Sequence, residues 1–410
     1  MKVVVVGSGG REHALAEVLG RTAEVVVTPG SRGIAGSVAT PVEELAAAGD
    51  VDLVVVGPEA PLVDGVADRL RSAGMRVFGP GADGAQLEGS KAYLKELLGA
   101  AGVPTARYGA FDDVDAALAF LDELDGGYVV KTDGLAAGKG VLVTTDRDEA
   151  AADVRAKLAG DAFGDAGRTV VIEELLEGPE VSVFAVCDGT RTVCLPAAQD
   201  FKRVGDGDAG PNTGGMGAWS PLPFAPDDLA EVVAREFVEP TLAELRRRGI
   251  DYRGVLYAGL MLTAEGPKLL EYNIRFGDPD SQVVLLRMTS DLAELLAGAA
   301  DGDLSTVAAP TFADDAAVLV VAASEGYPAS PRTGDPIAGI DEAAAVEGAS
   351  VLCAGVKADD DGALVTGGGR VLNVIGRGPD PASARAVAYD ALARISWPGE
   401  HHRTDIAADA

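Results

Sequence analysis

The sequence predicts a multi-domain protein of mixed α/β and α+β class. It expects an N-terminal doubly wound parallel sheet, a mobile α+β flap set into a larger core, and a small C-terminal domain. Three observations carry that expectation. The N-terminal third alternates short apolar strands with helical runs, the stretch "VVKTDGLAAGKGVLV" places a glycine loop between two apolar runs, and composition shifts at "EGYPASPRTGDP".

In chain order, residues 2–6 form an apolar strand, followed by Gly7-Ser8-Gly9-Gly10-Arg11-Glu12 and a helix to about Leu19. Strands "EVVVTPG", "DLVVVGPEAPL" and "RVFGP" continue the alternation, with a helix near 65–73. A dinucleotide fingerprint needs glycine where Glu12 stands and an acid where the second strand ends in Thr28-Pro29-Gly30, so this turn does not carry one. A helix from Ser90 to about Ala100 ends at Gly102 and Pro104. From 125 to 187 the reading is strand, glycine loop, strand, helix (Ala150 to Leu158), strand, strand. Longer elements follow, among them "GVLYAGLML", "PKLLEYN" and a helix after Ser281; "ASVLCAGVKA", "RVLNVIGRG" and a helix from Ala382 to Arg394 complete the chain, with a short extension after Trp397. The expected units are 1–101, a core from 102–124 and 188–325, a flap from 125–187, and a C-terminal domain from 326–410.

Composition narrows the function classes. At 410 residues, 47% hydrophobic and 24% charged, the chain is globular and needs no disulfides; Cys187, Cys194 and Cys353 have no zinc spacing. The N-terminal apolar run is too short for a signal peptide, and no stretch is long enough to span a bilayer, so a cytoplasmic protein without a membrane partner is expected. A net charge of -30 argues against nucleic acid. An acidic protein that binds a small anion must gather its cations locally, and Arg11, Lys91, Lys131, Lys139, Lys202, Arg203 and Arg275 all sit in or beside glycine-containing or polar loops.

The glycine loop is not a Walker-type loop. Three residues separate Gly134 from Gly138, Gly140 follows Lys139 where a hydroxyl would be needed, and the run from Val141 to Thr145 reads as a strand. It therefore joins two strands, with Lys131, Lys139 and glycine amides available to a polyphosphate. "VIEELLEGPEVSV" places Glu173, Glu174 and Leu176 at a strand end, where backbone groups suit an adenine edge, and Glu180 suits ribose hydroxyls. In "LLEYNIRFGDPDSQ", Glu271 and Asn273 share one face of a strand and offer oxygen ligands for magnesium, with Arg275 on that face if the strand persists. "QDFKRVGDGDAGPNTGGMGAWSP" is too polar for core and too cationic for a linker.

These segments, in this order, resemble the ATP-grasp superfamily. With "GGREHAL", "VGPEAPLVDG", "AQLEGSKAY" and "NIRFGDPDSQ" added, residues 1 to about 395 are similar to the phosphoribosylamine-glycine ligase (glycinamide ribonucleotide synthetase) family. The resemblance implies that glycine, 5-phosphoribosylamine and ATP give glycinamide ribonucleotide, ADP and phosphate through glycyl phosphate, a step of purine biosynthesis. It implies Glu271 and Asn273 as ligands of magnesium, with manganese as a substitute. It implies Lys91, Lys131, Gly138, Lys139, Gly140, Glu173, Glu174, Leu176 and Glu180 around ATP. Catalytic roles fall to Arg275, Lys131 and Asp278. The substrates fall to Gly9, Gly10, Arg11, Glu12, Pro58, Glu59, Lys202, Asn212, Thr213, Gly214 and Arg275 in a monomer whose flap closes on ATP. The chain departs from the family pattern at Asp280, where glutamate is commoner, and at Thr132, where alanine is usual. Another ATP-grasp carboxylate-amine ligase and a non-catalytic ATP-binding regulator remain as alternatives.

Overall fold

The computed structural model describes residues 1–134, 140–160 and 169–410. The N-terminal sheet is parallel, with Glu24–Pro29, Lys2–Gly7, Leu53–Val56 and Val77–Phe78 side by side in that order. Its central strand is apolar throughout because both faces are covered: Val3 and Val5 pack with Ala14, Leu15 and Val18 of the helix Gly10–Leu19, while Val4 and Val6 face Leu62, Val66 and Leu70. The helix Lys91–Ala101 starts at Ser90, whose hydroxyl accepts from the Tyr93 amide, and stops at Gly102 with φ of 69°.

The flap is an antiparallel sheet in the order Tyr108–Phe111, Val170–Glu174, Tyr128–Thr132, Val141–Thr144. Helices Val114–Leu121 and Arg147–Leu158 cover one side, and its core, including Leu121, Val130, Val154 and Ile172, is separate from the other cores. The two strands expected on either side of the glycines pair as Tyr128–Thr132 and Val141–Thr144. Two segment limits differ from expectation. Tyr108–Phe111, placed with the core segment 102–124, pairs in the flap sheet, whereas Glu180–Asp188, placed in the flap, pairs with Arg253–Thr263. The physical reason is burial: eight of the nine residues from Glu180 to Asp188 are fully buried, which suits an inner strand of the larger sheet Thr192–Cys194, Glu180–Asp188, Arg253–Thr263, Gly266–Asn273.

The C-terminal sheet also begins earlier than residue 326. Ala316–Ala323, buried at every position, lies between Gly217–Ser220 and Arg370–Gly378, with Gln199–Asp200 and Ala349–Cys353 at the edges. Gly217–Ser220, expected within a polar loop, is thus core, its glycine admitting Ile406 where a Cβ would come within 2.7 Å. The tail is likewise not a loose extension. His401 bridges to Ala323, and the buried Arg403 pairs with Asp208 at 2.6 Å and Asp405 at 2.7 Å. No helix among the described residues is long and apolar enough to cross a membrane.

Packing in the C-terminal unit is tight enough to test. A Cβ on Gly376 would come within 2.2 Å of the Ala384 carbonyl and 2.3 Å of the Ala388 nitrogen, both backbone atoms of the helix Pro381–Leu392. Gly376→Ala is expected to destabilise the protein by about 1–3 kcal/mol, read as a lower melting midpoint by calorimetry. An unchanged midpoint would contradict this close strand-helix contact.

Candidate active site

The site starts from strand register. Gly266–Asn273 runs antiparallel to Arg253–Thr263, so Glu271 stands opposite Gly259 and Asn273 opposite Tyr257; Gly259 in turn stands opposite Ser182. Alternation puts the half-buried Glu271 and Asn273 side chains on one face and the buried Tyr272 on the other. Gly259 places no acid beside them. A Cβ there would lie 3.6 Å from Glu271 Cγ, in ordinary contact without a clash. Among the described residues no group of three or more His, Cys, Asp or Glu is arranged to hold a metal. Two oxygen donors nonetheless suit a hard divalent cation that completes its shell with phosphate oxygens and water, so the residues fit magnesium in that form.

Cations face these donors. Lys131, on the flap strand Tyr128–Thr132, lies 2.7 Å from Glu173 Oε1, and Lys95 lies 2.9 Å from Glu173 Oε2 while also donating to Thr105 Oγ1 at 2.7 Å. All three charged groups are buried. Burial disfavours the Glu173 carboxylate, but Lys131 and Lys95 outweigh it and hold its pKa below the ordinary value. Burial likewise opposes the charge of Lys131, and Glu173 with Glu271 raises its pKa all the same. For Lys95 burial wins, lowering its pKa to about 8. Lys91 donates to the Gly134 carbonyl at 2.8 Å, and burial lowers its pKa against the pull of Glu271. The cluster thus joins cations from a core helix and a flap strand beside Glu271, the arrangement a polyphosphate with its metal complements.

Other expected ATP residues have separate fates. Gly138 and Lys139 lie outside the described residues; the Gly140 carbonyl accepts from the Thr132 amide at 2.9 Å. The Glu174 amide is spent on Arg107 O at 2.9 Å and its Oε1 accepts from the Arg107 amide at 2.9 Å, whereas the Leu176 amide has no protein partner among the described residues. Glu180 is 3.1 Å from Lys202, which also binds Asp200 at 2.8 Å. Burial raises the Glu180 pKa despite that pairing.

Arg275 joins the domains. The strand does not persist to it, ending at Asn273, yet its Nη2 reaches Asn273 Oδ1 at 3.2 Å and Glu88 Oε1 at 3.3 Å. Glu59, which opens the helix Glu59–Val63 after Pro58, lies 3.4 Å from Arg275 Nε. That contact has ion-pair distance but not hydrogen-bond geometry, so Nε has no hydrogen-bond partner among the described residues. Burial opposes the charge of Arg275; Glu88 and Glu59 outweigh it. The arginine is thus held by Glu59, Glu88, Asn273 and the Phe276 carbonyl, with its Nε buried beside Glu59.

The N-terminal turn meets the same place. Arg11 donates to Glu12 Oε1 at 2.6 Å and to the Phe276 carbonyl at 3.1 Å, the carbonyl Arg275 Nη1 also reaches at 3.3 Å. The Gly9 amide, expected at a substrate phosphate, is engaged by Glu12 Oε2 at 2.7 Å. The amides of Gly10 and Arg11 have no partner among the described residues and remain as donors at the helix start. Asp278 accepts from Gln282 at 2.6 Å and from Arg370 at 3.0 Å; burial works against its charge, but Arg370 and Arg11 hold its pKa below the ordinary value. In the Asn212 to Gly214 turn, Thr213 N donates to Lys202 O at 2.7 Å and Gly214 N to Tyr327 OH at 3.0 Å.

Residues 1–88, 89–281 and 317–409 match the N, ATP-grasp (A) and C domains of phosphoribosylglycinamide synthetase. The chain belongs to this family. It is 51% identical to the phosphoribosylamine-glycine ligase of Streptomyces coelicolor, over 100% of this chain and 99% of that protein. It is 48% identical to the Mycobacterium tuberculosis ligase of the same name, over 100% and 98%. The crystal structure of a phosphoribosylamine-glycine ligase from Thermotoga maritima is 35% identical and superposes with a TM-score of 0.86, covering 99% of this chain and 100% of that one. A 2-oxoglutarate carboxylase biotin carboxylase domain from Hydrogenobacter thermophilus, 17% identical with a TM-score of 0.74 over 98% and 91%, shares the ATP-grasp fold.

Sequence reading missed Lys95, Glu88, Tyr327 and Arg370. Lys95 had a signal: it stands four residues after Lys91, among Leu94, Leu97 and Leu98 on the buried face of its helix. The others meet the site only through long-range contacts. Glu173→Gln leaves Lys95 and Lys131 buried without their counter-ion, and is expected to cost about 3–5 kcal/mol at neutral pH. Because the folded pKa of Glu173 lies below its ordinary 4.5, its stabilisation is present above that value and is lost as pH falls through the folded pKa. Melting midpoints of wild type and variant should therefore converge in acid; a gap that stays constant with pH would contradict the ion triad.

Proposed function

We propose that the protein ligates glycine to 5-phosphoribosylamine at the expense of ATP, giving glycinamide ribonucleotide, ADP and phosphate. The observation that carries this reading is the three-domain family match along the chain. The grouping of Lys131, Glu271, Asn273 and Arg275 on one sheet face and its flap supports it. A carboxylate is a poor electrophile, so a glycine oxygen first attacks the γ-phosphorus and the bond to ADP breaks, leaving glycyl phosphate. The amine nitrogen then attacks the acyl carbon, the carbon-oxygen bond to phosphate breaks, and the amine loses a proton. Both steps are governed by placement and charge rather than by a protein nucleophile.

In this reading Lys91 and Lys131 bind the phosphates, and the backbone near Leu176 meets adenine. Glu271 and Asn273 hold magnesium, which neutralises phosphate charge when bound; manganese would serve the same donors. Arg275 brings its guanidinium charge to bear on the acyl phosphate, Arg11 and the free amides of Gly10 and Arg11 receive the phosphorylated amine, and Asp278 orients the substrates beside Gly9. The protein acts as a monomer, and its flap closes over ATP to keep water from glycyl phosphate. The direct assay is ADP release with magnesium, ATP, glycine and fresh phosphoribosylamine together, then with each substrate withheld. Release only with both is expected; none under any condition would overturn the reading.

Arg275→Ala should lower kcat at least about 100-fold while ATP affinity changes by less than about threefold, because the lost donor acts on charge that develops during reaction. Steady-state kinetics beside ATP titration calorimetry measures both. An unchanged kcat would remove Arg275 from the chemistry.

A further inference from the structure

The strand Arg370–Gly378 belongs to the C-terminal sheet, yet its first residue reaches across to the ATP-grasp core. Arg370 Nη1 donates to the Asp278 carbonyl at 2.7 Å and to the Gly214 carbonyl at 2.6 Å, and Nη2 donates to Asp278 Oδ2 at 3.0 Å. Gln282 Nε2 holds the other oxygen, Asp278 Oδ1, at 2.6 Å. Both carboxylate oxygens are thus fixed, and Oδ2 lies 3.9 Å from the point where a Cβ on Gly9 would stand, the turn that receives the amine substrate. The register shifts where Ala323 pairs with Arg370, an irregularity of the kind that re-aims a side chain.

A second arm comes from the same domain. Tyr327 OH accepts the Gly214 amide at 3.0 Å, so both the N–H and the C=O of Gly214 are held by C-terminal residues. The tyrosine ring packs on Gly369, where a Cβ would come within 2.2 Å of it, so glycine is needed immediately before Arg370. The glycine run 367–369 and Arg370 therefore work as a unit: close packing of Tyr327 sets the strand start, and the strand start aims the guanidinium.

We propose that Arg370 is a positioning residue for the ligation, by which the C-terminal domain fixes Asp278 and the Gly214 turn as two walls of the subsite for the phosphorylated amine. It rests on the ligase reading above. A planar fork that donates to a carboxylate and two carbonyls defines orientation as well as charge, which lysine reproduces only in part. Asp278 is the group whose geometry it sets; the ATP site, built on Lys91, Lys131 and Glu271, makes no contact with it among the described residues.

The experiment compares wild type, Arg370→Gln, Arg370→Lys and Tyr327→Phe in ADP release, varying phosphoribosylamine, glycine and ATP in turn, with melting midpoints alongside. The expected result is a loss of at least about 100-fold in kcat/KM for phosphoribosylamine in Arg370→Gln, since small misplacements of this kind carry such losses. KM for ATP should stay within about twofold, and Arg370→Lys should recover part of the loss, as its charge is kept without the fork. Should Arg370→Gln fail to fold, Tyr327→Phe decides: a raised KM for phosphoribosylamine with unaltered KM for ATP supports the role, and no change overturns it. Active wild type with unaltered kcat/KM in Arg370→Gln, or a loss shared equally by ATP and following the melting midpoint, overturns the inference alone. Wild type that releases no ADP overturns the ligase reading, and this role with it.

Discussion

A guanidinium cannot be discharged at any working pH, so half-burying Arg275 obliges the fold to bring carboxylates to it. Glu59 comes from the N-terminal domain and Glu88 from the helix Ala82–Gly89 that leads into the core, while Asn273 ends the core strand. Glu59 and Glu88 would lose the arginine if the N-terminal domain drifted from the sheet, leaving only its local contacts to Asn273 and the Phe276 carbonyl. The docking of the two domains and the readiness of Arg275 are therefore one constraint, with Arg11 adding a second tie through the Phe276 carbonyl. Nε is buried beside Glu59 without a hydrogen bond among the described residues, so the pairing with Glu59 is one of charge rather than of donor geometry.

The same economy governs the lysines. In a chain of net charge -30, long-range attraction for ATP is absent, and binding must come from local fields. Lys131 and Lys95 share one carboxylate, Glu173, so the buried triad keeps an excess of positive charge next to Glu271. This cluster joins the helix Lys91–Ala101 to the flap sheet, and the flap has a hydrophobic core of its own. The bonds between that helix and the flap sheet are thus largely polar, and they involve the groups proposed to meet phosphate.

Much of the architecture was legible in the sequence wherever local patterning decided it. The valine strand, the helix Gly10–Leu19, the capped helix Lys91–Ala101 and the hairpin Tyr128–Thr132 with Val141–Thr144 follow from apolar periodicity, caps and β-branched runs. Sheet membership was less legible. Tyr108–Phe111, Glu180–Asp188 and Gly217–Ser220 each pair with strands distant in sequence, and a strand pattern says which face is buried but not which neighbour covers it. In the site, Glu271 and Asn273 could be read from strand alternation, while Glu88 and Arg370 carried no local mark of function.

By itself, the sequence determined the residue chemistry, the motif order that marks this family, and the two donors that alternation must place on one face, because spacing along a strand or helix is enough to set these. Only the tertiary structure decided that Gly9 spends its amide on Glu12, that Arg275 is clasped by Glu59 and Glu88, and that the C-terminal domain holds Asp278 through Arg370. Except for the Gly9–Glu12 pair, those contacts join residues tens to hundreds of positions apart. Their partners are selected by packing and by the cost of leaving a buried charge unpaired, and neither is written in any single stretch of chain.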